Sequence, residues 1–574
     1  MGCSASVPGP GRREYKDFAR FGDNVYRGEV LRGKPDGAGT YTWADEGEWA
    51  RFKQYSVYEG EWRKFKQHGH GVYSNADGSQ YVGEWHKGQR QGIGVALDAD
   101  GRKYDGYWDA GSRHGFGLVS SPDGCEYAGE WQRGKRAGRG HELFADGRRY
   151  EGEYDGDAMH GVGKLHWPDG SVYDGEWRRG VRHGSGVNTF AAGHRYEGEW
   201  REGMLHGAGS YSWNESRSYC GEWVENEQHG RGVFTWANGD KYDGEYYEGR
   251  RHGRGTYVDS EGNRYTGDWV HGIEHGQCDS VESDGSSYSG QIFQGKRHGL
   301  GVQTDVDGST YTGQWQVGKR HGNGISVVKA NLTTFEGEFL LDVKHGRGVE
   351  TRPDGMRFVG SWVNGRRDGE GTESWPDGRF YQGEWRNGRR HGAGSCIFAD
   401  GGRFEGRWRN GKCDGYGVHQ MADGSTYVGG WQKDLPHGQG TYNASRLPAA
   451  IGGLEAQPES LKSFTGSWED GVKAGHGSAI FLNGDSYTGE YSDDMPHGLG
   501  CYTWADGSQY NGPFCNGQFA DEHGACNFTF PDGSKFDGEY CALLNRERSQ
   551  AGRFNVPRGS RRLAIQLLNN GLNV

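Results

Sequence analysis

A fixed 23-residue period governs this chain. Each period is a variant of Y-x-G-E-W-x-x-G-x-x-H-G-x-G, followed by a segment built on Asp-Gly. The leading aromatic falls at Tyr26, then at Tyr58 and every 23 residues to Tyr311, then at Phe335, Phe358, Tyr381, Phe404 and Tyr427. It resumes after an insertion at Phe464, Tyr487, Tyr510 and Phe536, which makes 22 units. Gly stands two residues after the aromatic in all 22, and a second aromatic stands four residues after it except at Val30 and Ile292. Self-similarity at this spacing specifies a repeat array, because one short unit cannot bury an apolar face alone and stacked units can. The period overrides the roughly three or four domains that chain length alone would suggest.

Within a unit the pattern alternates. Tyr173, Gly175 and Trp177 interleave with Val172, Asp174 and Glu176, and in a strand alternate residues share a face. Gly209, Tyr211 and Trp213 repeat the alternation in the second half of a unit. Each unit therefore reads as two strands with one aromatic and one polar face. The segment containing G-x-x-R-H-G joins them, and an Asp-Gly turn, as at Asp169-Gly170, leads onward. The predicted fold is all-β: an elongated single-layer antiparallel meander of 22 stacked hairpins with about 44 strands, a rod or trough on the order of 200 Å long before curvature. The 107 glycines would signal low complexity without the periodic rings; with them, Gly leaves room for neighbouring aromatics. The aromatic stripe reads as core, since every unit has it and a ligand site would be local.

The expected organisation is a flexible acylated arm over 1–25, 18 units over 26–442, an insertion loop over 443–463, four units over 464–540, and a basic linker with a C-terminal capping helix over 541–574. Other irregularities are extra residues around Asp45–Ser56, a longer last turn near Phe519–Cys526, and Cys278 in place of a Gly.

Composition removes several function classes. Mean hydropathy is −0.95 and no apolar run reaches the length of a transmembrane helix. The N-terminus lacks the apolar segment of a secretory signal. Ten cysteines without C-x-x-C pairs fit a reduced intracellular compartment. A net charge of −12 argues against nucleic-acid binding. Histidines such as His183, His252 and His391 recur in successive equivalent positions without converging partners, so they read as structural, in a hydrogen bond to the Glu three residues after the leading aromatic. Every Glu and His is accounted for by the repeat, whereas catalysis needs a unique constellation. The chain reads as non-enzymatic, with no cofactor and no metal.

Tyr173-Asp-Gly-Glu-Trp177, Gly180 and His183-Gly-Ser-Gly186 match the core pattern of the MORN (membrane occupation and recognition nexus) repeat, and the equivalent positions along the chain do likewise. The sequence thus resembles a MORN-only protein. The resemblance implies a β-hairpin scaffold of the kind found in cytoskeletal and membrane-junction proteins and in ciliary radial-spoke heads. Phospholipid binding has been attributed to the family without being a property of every member. The Glu that holds from Glu61 through most units to Glu245 becomes Gln291, Gln314, Ser361, Arg407, Gly430 and Ser467 later on, so the C-terminal half is less regular.

Singular function is left to what the repeat does not dictate. Basic residues recur in the first turn, densest through Arg297, Arg320, Lys344, Arg367 and Arg390, while Asp recurs in the second. One edge would then be basic and the other acidic. The basic edge reads either as a solubility device or as a contact surface for anionic lipid or an acidic protein lattice. The chain opens Met1-Gly2-Cys3-Ser4-Ala5-Ser6, which fits N-myristoylation at Gly2 with Cys3 a palmitoylation candidate; two acyl chains anchor where one is marginal. Near the C-terminus, Leu563 with Leu567 and Ala564 with Leu568 pattern a short amphipathic helix, a cap or a docking element. The expected function is a stiff scaffold tethered to the cytoplasmic face of a membrane, docking cytoskeletal or membrane partners. Two alternatives remain: a ciliary axonemal component held by protein contacts, and an anionic phospholipid-binding module. Exposed terminal strands allow homo-oligomers.

Overall fold

The computed structural model describes residues 12–44, 55–445, 461–520 and 526–537. All regular structure there is β: 45 strands, paired antiparallel between sequence neighbours in an open meander. The chain divides into two compact units, Met1–His275 and Gly276–Val574. The middle of the expected insertion loop (446–460), the C-terminal helix and the acylation signal lie outside the described residues, while the ends of that loop are strand, with Asn443 paired to Ser463.

In the N-terminal unit the meander begins earlier than expected. Glu14–Phe21, assigned from sequence to the flexible arm, is a strand paired with Asn24–Leu31. Phe21 packs on Phe65 and Tyr41 with ring centres 5.1 and 6.3 Å apart, and Arg13 pairs with Asp36 at 3.0 Å. The first hairpin's rings thereby gain cover at an otherwise open edge.

The hairpin formed by strands Val172–Arg178 and Val181–Thr189 represents the rest. Its tight turn is Arg179-Gly180, both with positive φ, 51° and 83°. This is the two-residue turn whose twist matches that of the flanking strands. The turn is also tied sideways: Gly180 N–H donates to the Met159 carbonyl of the preceding hairpin at 2.8 Å. At the other end Trp167 N–H reaches the Ser171 carbonyl, Gly170 takes φ 89°, and Asp169 accepts from Ser171 N–H at 2.8 Å. Only the Gly of Asp-Gly needs the left-handed region; Asp is there to hold the turn with its carboxylate.

The register shifts between Gly175 and Trp177, so Gly175 faces Gly186 while Trp177 faces Arg182. This bulge corrects the sequence reading of the first turn. Arg182 and its equivalents belong to the strand opposite the tryptophan, not to the turn tip. The Gly-Gly pair is required by close approach: a Cβ on Gly175 would lie 2.4 Å from Gly186 Cα, and one on Gly186 would lie 2.4 Å from the Tyr173 hydroxyl.

The C-terminal unit repeats this scheme from Ser287–Phe293 to Gln509–Cys515, then shortens to Asn527–Thr529 and Lys535–Asp537. In both units the core is the aromatic face, with Tyr58, Tyr173, Tyr196, Phe358 and Tyr427 fully buried.

Candidate functional site

The aromatic face is a ladder of perpendicular rings. Tyr173 meets Trp177 of its own hairpin at 5.0 Å and 88°, and Trp200 of the next at 5.3 Å and 85°. Edge-to-face pairs of this kind contribute about 0.5–1.5 kcal/mol each beyond area burial. The polar tips are used as well. Tyr173 donates its hydroxyl hydrogen to the Glu176 carbonyl at 2.9 Å, and Trp177 donates Nε1–H to the Gly163 carbonyl of the preceding hairpin at 2.9 Å. Burial pushes the Tyr173 phenol up, with Arg182 pulling against it. The face is a packed core rather than an open ring-lined groove, although the Tyr246 and Tyr491 hydroxyls and Trp362 Nε1 are buried without a hydrogen bond.

Over that ladder lies a second layer, made of the basic residues singled out in the sequence. Arg297 sits 4.9 Å from the Tyr288 ring centre and 5.3 Å from that of Trp315. Arg320 covers Tyr311 and Phe339, Lys344 covers Phe335 and Trp362, Arg367 covers Phe358 and Trp385, and Arg390 covers Tyr381 and Trp408. The expected basic edge is thus a basic cover on the aromatic face. The bulge explains the difference: its two extra residues bring this position out of the turn and opposite the tryptophan.

Sequence reasoning missed the acids that belong to this layer. Glu350 and Glu373 stand opposite Phe335 and Phe358 in the ladder and are buried. Lys344 donates to Glu350 at 2.8 Å, Arg367 reaches Glu350 at 3.2 Å and Glu373 at 2.6 Å, and Arg390 reaches Glu373 at 3.2 Å. Burial disfavours the Glu350 carboxylate, yet Lys344, Arg367 and Arg352 hold its pKa below the usual range. The same ladder position holds Leu165, Asn188 and Phe234 elsewhere. Strand alternation was the available signal: it places this residue on the aromatic face in every unit, whatever its chemistry.

The opposite face carries the Glu that the repeat specifies. Glu176 lies against Gly184, where φ is +56°, and accepts from Ser185 N–H at 2.9 Å. Glu61, Glu84, Glu222 and Glu384 do the same. The partner predicted for this Glu was His, and that is corrected: the carboxylate satisfies a backbone N–H freed by the bulge. The histidines pack instead on rings, as His68 does on His86 at 5.0 Å and His252 on Tyr247 at 5.7 Å. Nδ1 of His252, His321 and His391 is buried without a hydrogen bond.

Gly2 and Cys3 are outside the described residues, so the lipidation expectation stands on sequence. Among the described residues no group of three or more His, Cys, Asp or Glu is placed to hold a metal ion.

The MORN repeat model matches twenty segments, from 26–49, 58–80 and 81–101 through to 464–486 and 487–509. The units counted at Tyr510 and Phe536 fall beyond it. No curated protein matches. Among solved structures, the chain is similar to the wild-type TCP10 domain of Danio rerio CPAP in complex with a peptide of Danio rerio STIL, at 11% identity over 49% of this chain and 93% of that one, TM-score 0.12. It is also similar to the SAS-4 (dCPAP) TCP domain of Drosophila melanogaster, at 11% identity over 33% and 83%, TM-score 0.16. A streptogramin B lyase gives 13% identity over 50% and 88%, TM-score 0.10. At these scores the likenesses carry no argument.

Proposed function

Since this chain belongs to the MORN repeat family, we propose that it is a non-enzymatic scaffold, tethered at Gly2 and Cys3 to the cytoplasmic face of a membrane and docking cytoskeletal or membrane proteins along its length. One observation carries the scaffold reading: the side chains that define the repeat are spent on the repeat. Tyr173 and Trp177 bond backbone carbonyls, Glu176 bonds a backbone N–H, and Arg182 covers the rings of its own and the next hairpin. The other repeat glutamates are engaged in the same way, and the repeat histidines pack on rings. What is left to present to a partner is the reverse face and the turns, repeated so that weak contacts act together through effective concentration.

The tether rests on the Met-Gly-Cys-x-x-Ser opening and on the two-chain requirement for stable anchoring. Metabolic labelling with an alkynyl myristate tests it in wild type and Gly2→Ala. Label in wild type, its loss in the variant and release of the variant from membranes are expected. Absence of label in wild type, or membrane retention of Gly2→Ala, would overturn the tether and favour an axonemal component held by protein contacts. Direct phospholipid binding through Arg297, Arg320, Lys344, Arg367 and Arg390 is the weaker reading, because these side chains are engaged with rings, and Lys344, Arg367 and Arg390 also with buried carboxylates.

A further inference from the structure

The reverse face carries exposed apolar residues in several units, such as Val162 and Leu300, and gathers them around residues 82–118. Tyr107 stands where neighbouring units carry Glu84 and Glu130. It pairs with Ile93 across one ladder and lies over Gly115, next to Phe116, across the other. Beside this row, Val82 pairs with Val95, and Asp105 connects Val95 to Leu118. Ile93 and Phe116 are each 67% exposed, and Val82, Tyr107 and Leu118 are exposed as well. Cross-strand partners share a face, so these residues make one contiguous apolar patch over three adjacent strand ladders. A contiguous exposed patch of this kind marks an interaction site more often than scattered surface apolars do.

Its border is acidic. Glu59 pairs with Val72 beside Val82, Glu84 follows Val82 on the same face, and Glu130 pairs with Phe116. Lys103, the neighbouring amine, is tied to Asp105 at 3.3 Å. The fitting ligand is therefore an apolar segment flanked by cations.

The chain encodes such a segment outside its repeats. From Ser549 to Val574 there are four arginines and no acid, and Arg561-Arg-Leu-Ala-Ile-Gln-Leu-Leu568 joins two of those arginines to Leu563, Ile565, Leu567 and Leu568. The insertion after Tyr442 also contains apolar residues, Leu447, Ile451 and Leu454, but carries Glu455 and Glu459, the same sign as the patch border. We propose that the segment Arg558–Leu568 of a second copy of this chain docks on the reverse-face patch formed by Val82, Ile93, Tyr107, Phe116 and Leu118. The apolar residues of the segment match the apolar patch, and its arginines match the charge of Glu84 and Glu130 at the border.

The test uses the full chain with Phe116→p-benzoylphenylalanine, irradiated and digested, the crosslinked peptides read by mass spectrometry. Crosslinks to residues 553–571 are expected, and their loss when Leu563→Asp and Leu567→Asp are added. The same photoreactive residue at Ser185, the equivalent position in a unit with Glu176 in place, should give no such crosslink. In a mixture of isotopically light and heavy chains, crosslinks that join light to heavy peptides are expected; crosslinks confined to one isotopic form would overturn the proposal. Crosslinks confined to other segments, none at all, or crosslinks unchanged by the two aspartates would overturn it. Acylation at Gly2 does not enter this readout, so the two proposals fail independently.

Discussion

The guanidinium of Arg182 lies 4.2 Å from the ring centre of Trp200, a residue of the following hairpin, and 5.8 Å from that of Tyr173 in its own. It also donates to the Gly203 carbonyl at 3.1 Å, in the next tight turn. One side chain therefore joins two hairpins, reaching the second through a ring and a backbone carbonyl. In a stacked array such joints are the nearest-neighbour coupling that makes repeats unfold together. Arg182→Ala should weaken the local interface by about 1–2 kcal/mol, the range for a cation over partly buried rings. Hydrogen exchange resolved by peptide should show the loss in strands 172–201 and not in strands 56–97. A uniform change across both would show that the contact is not a local joint.

Two glycines of the same hairpin should respond in opposite ways. Gly186 has the Tyr173 hydroxyl where its Cβ would go, at 2.4 Å, and that tyrosine is fully buried. Gly186→Ala should cost roughly 3 kcal/mol or more, because neither the ring nor the strand can give way. Gly180 has nothing within 4 Å of a Cβ and takes φ 83°, a conformation Asn tolerates. Gly180→Asn should stay within about 0.5 kcal/mol of wild type. Comparable losses of local exchange protection in the two variants would refute the packing account of the repeat glycines.

This contrast bears on what the sequence could disclose. Tyr173 with Trp177, and Gly175 with Gly186, are legible because their period and alternation follow from strand geometry alone. The open meander follows from them. Arg182 was not placed correctly, because the bulge between Gly175 and Trp177 puts two extra residues in the second strand and so brings Arg182 out of the turn and opposite Trp177. The histidine–glutamate bond failed for the same cause: the bulge frees Ser185 N–H, which takes the Glu176 carboxylate first. Arg179 with positive φ at the tight turn carries no signature of its own, since the requirement shows only once the turn length is known. The patch around Phe116 needed the ladder partners, because Ile93, Tyr107 and Phe116 lie in three different strands.

The C-terminal unit writes charge into the aromatic face. Glu373 is held by Arg367 at 2.6 Å and Arg390 at 3.2 Å, with both guanidinium groups little exposed. Removing one member of a buried network leaves the others uncompensated and costs about 2–4 kcal/mol. Glu373→Ala should cost in that range, and a cycle with Arg390→Ala should show coupling above about 1 kcal/mol. Moderate salt should change it little, because the pair is shielded from counterions. Additive losses in the double variant would mean that the two residues act separately, each through its ring contacts.

His419 occupies the ladder position that Glu373 holds two hairpins earlier, and meets the opposite requirement. It faces Phe404, packs on Phe398 at 5.6 Å and Trp431 at 5.8 Å, and is 7% exposed. Its Nδ1 is buried without a hydrogen bond. Burial lowers its pKa to about 4, with Asp400 and Asp423 acting in the other direction. The unfolded chain binds a proton near the ordinary value of about 6.5, while the folded one does not until about 4. Between those values the unfolded state holds more protons, so the stability of this region rises with pH across the window and is lost as pH falls through it. The full loss is on the order of 3 kcal/mol. His419→Phe, which supplies the residue type found at the equivalent Phe234, should remove that dependence. The variant should match or exceed wild type at pH 7 and gain on it at pH 5, as read by thermal unfolding of the two chains side by side. An equal difference at both pH values would show that His419 does not titrate in this window.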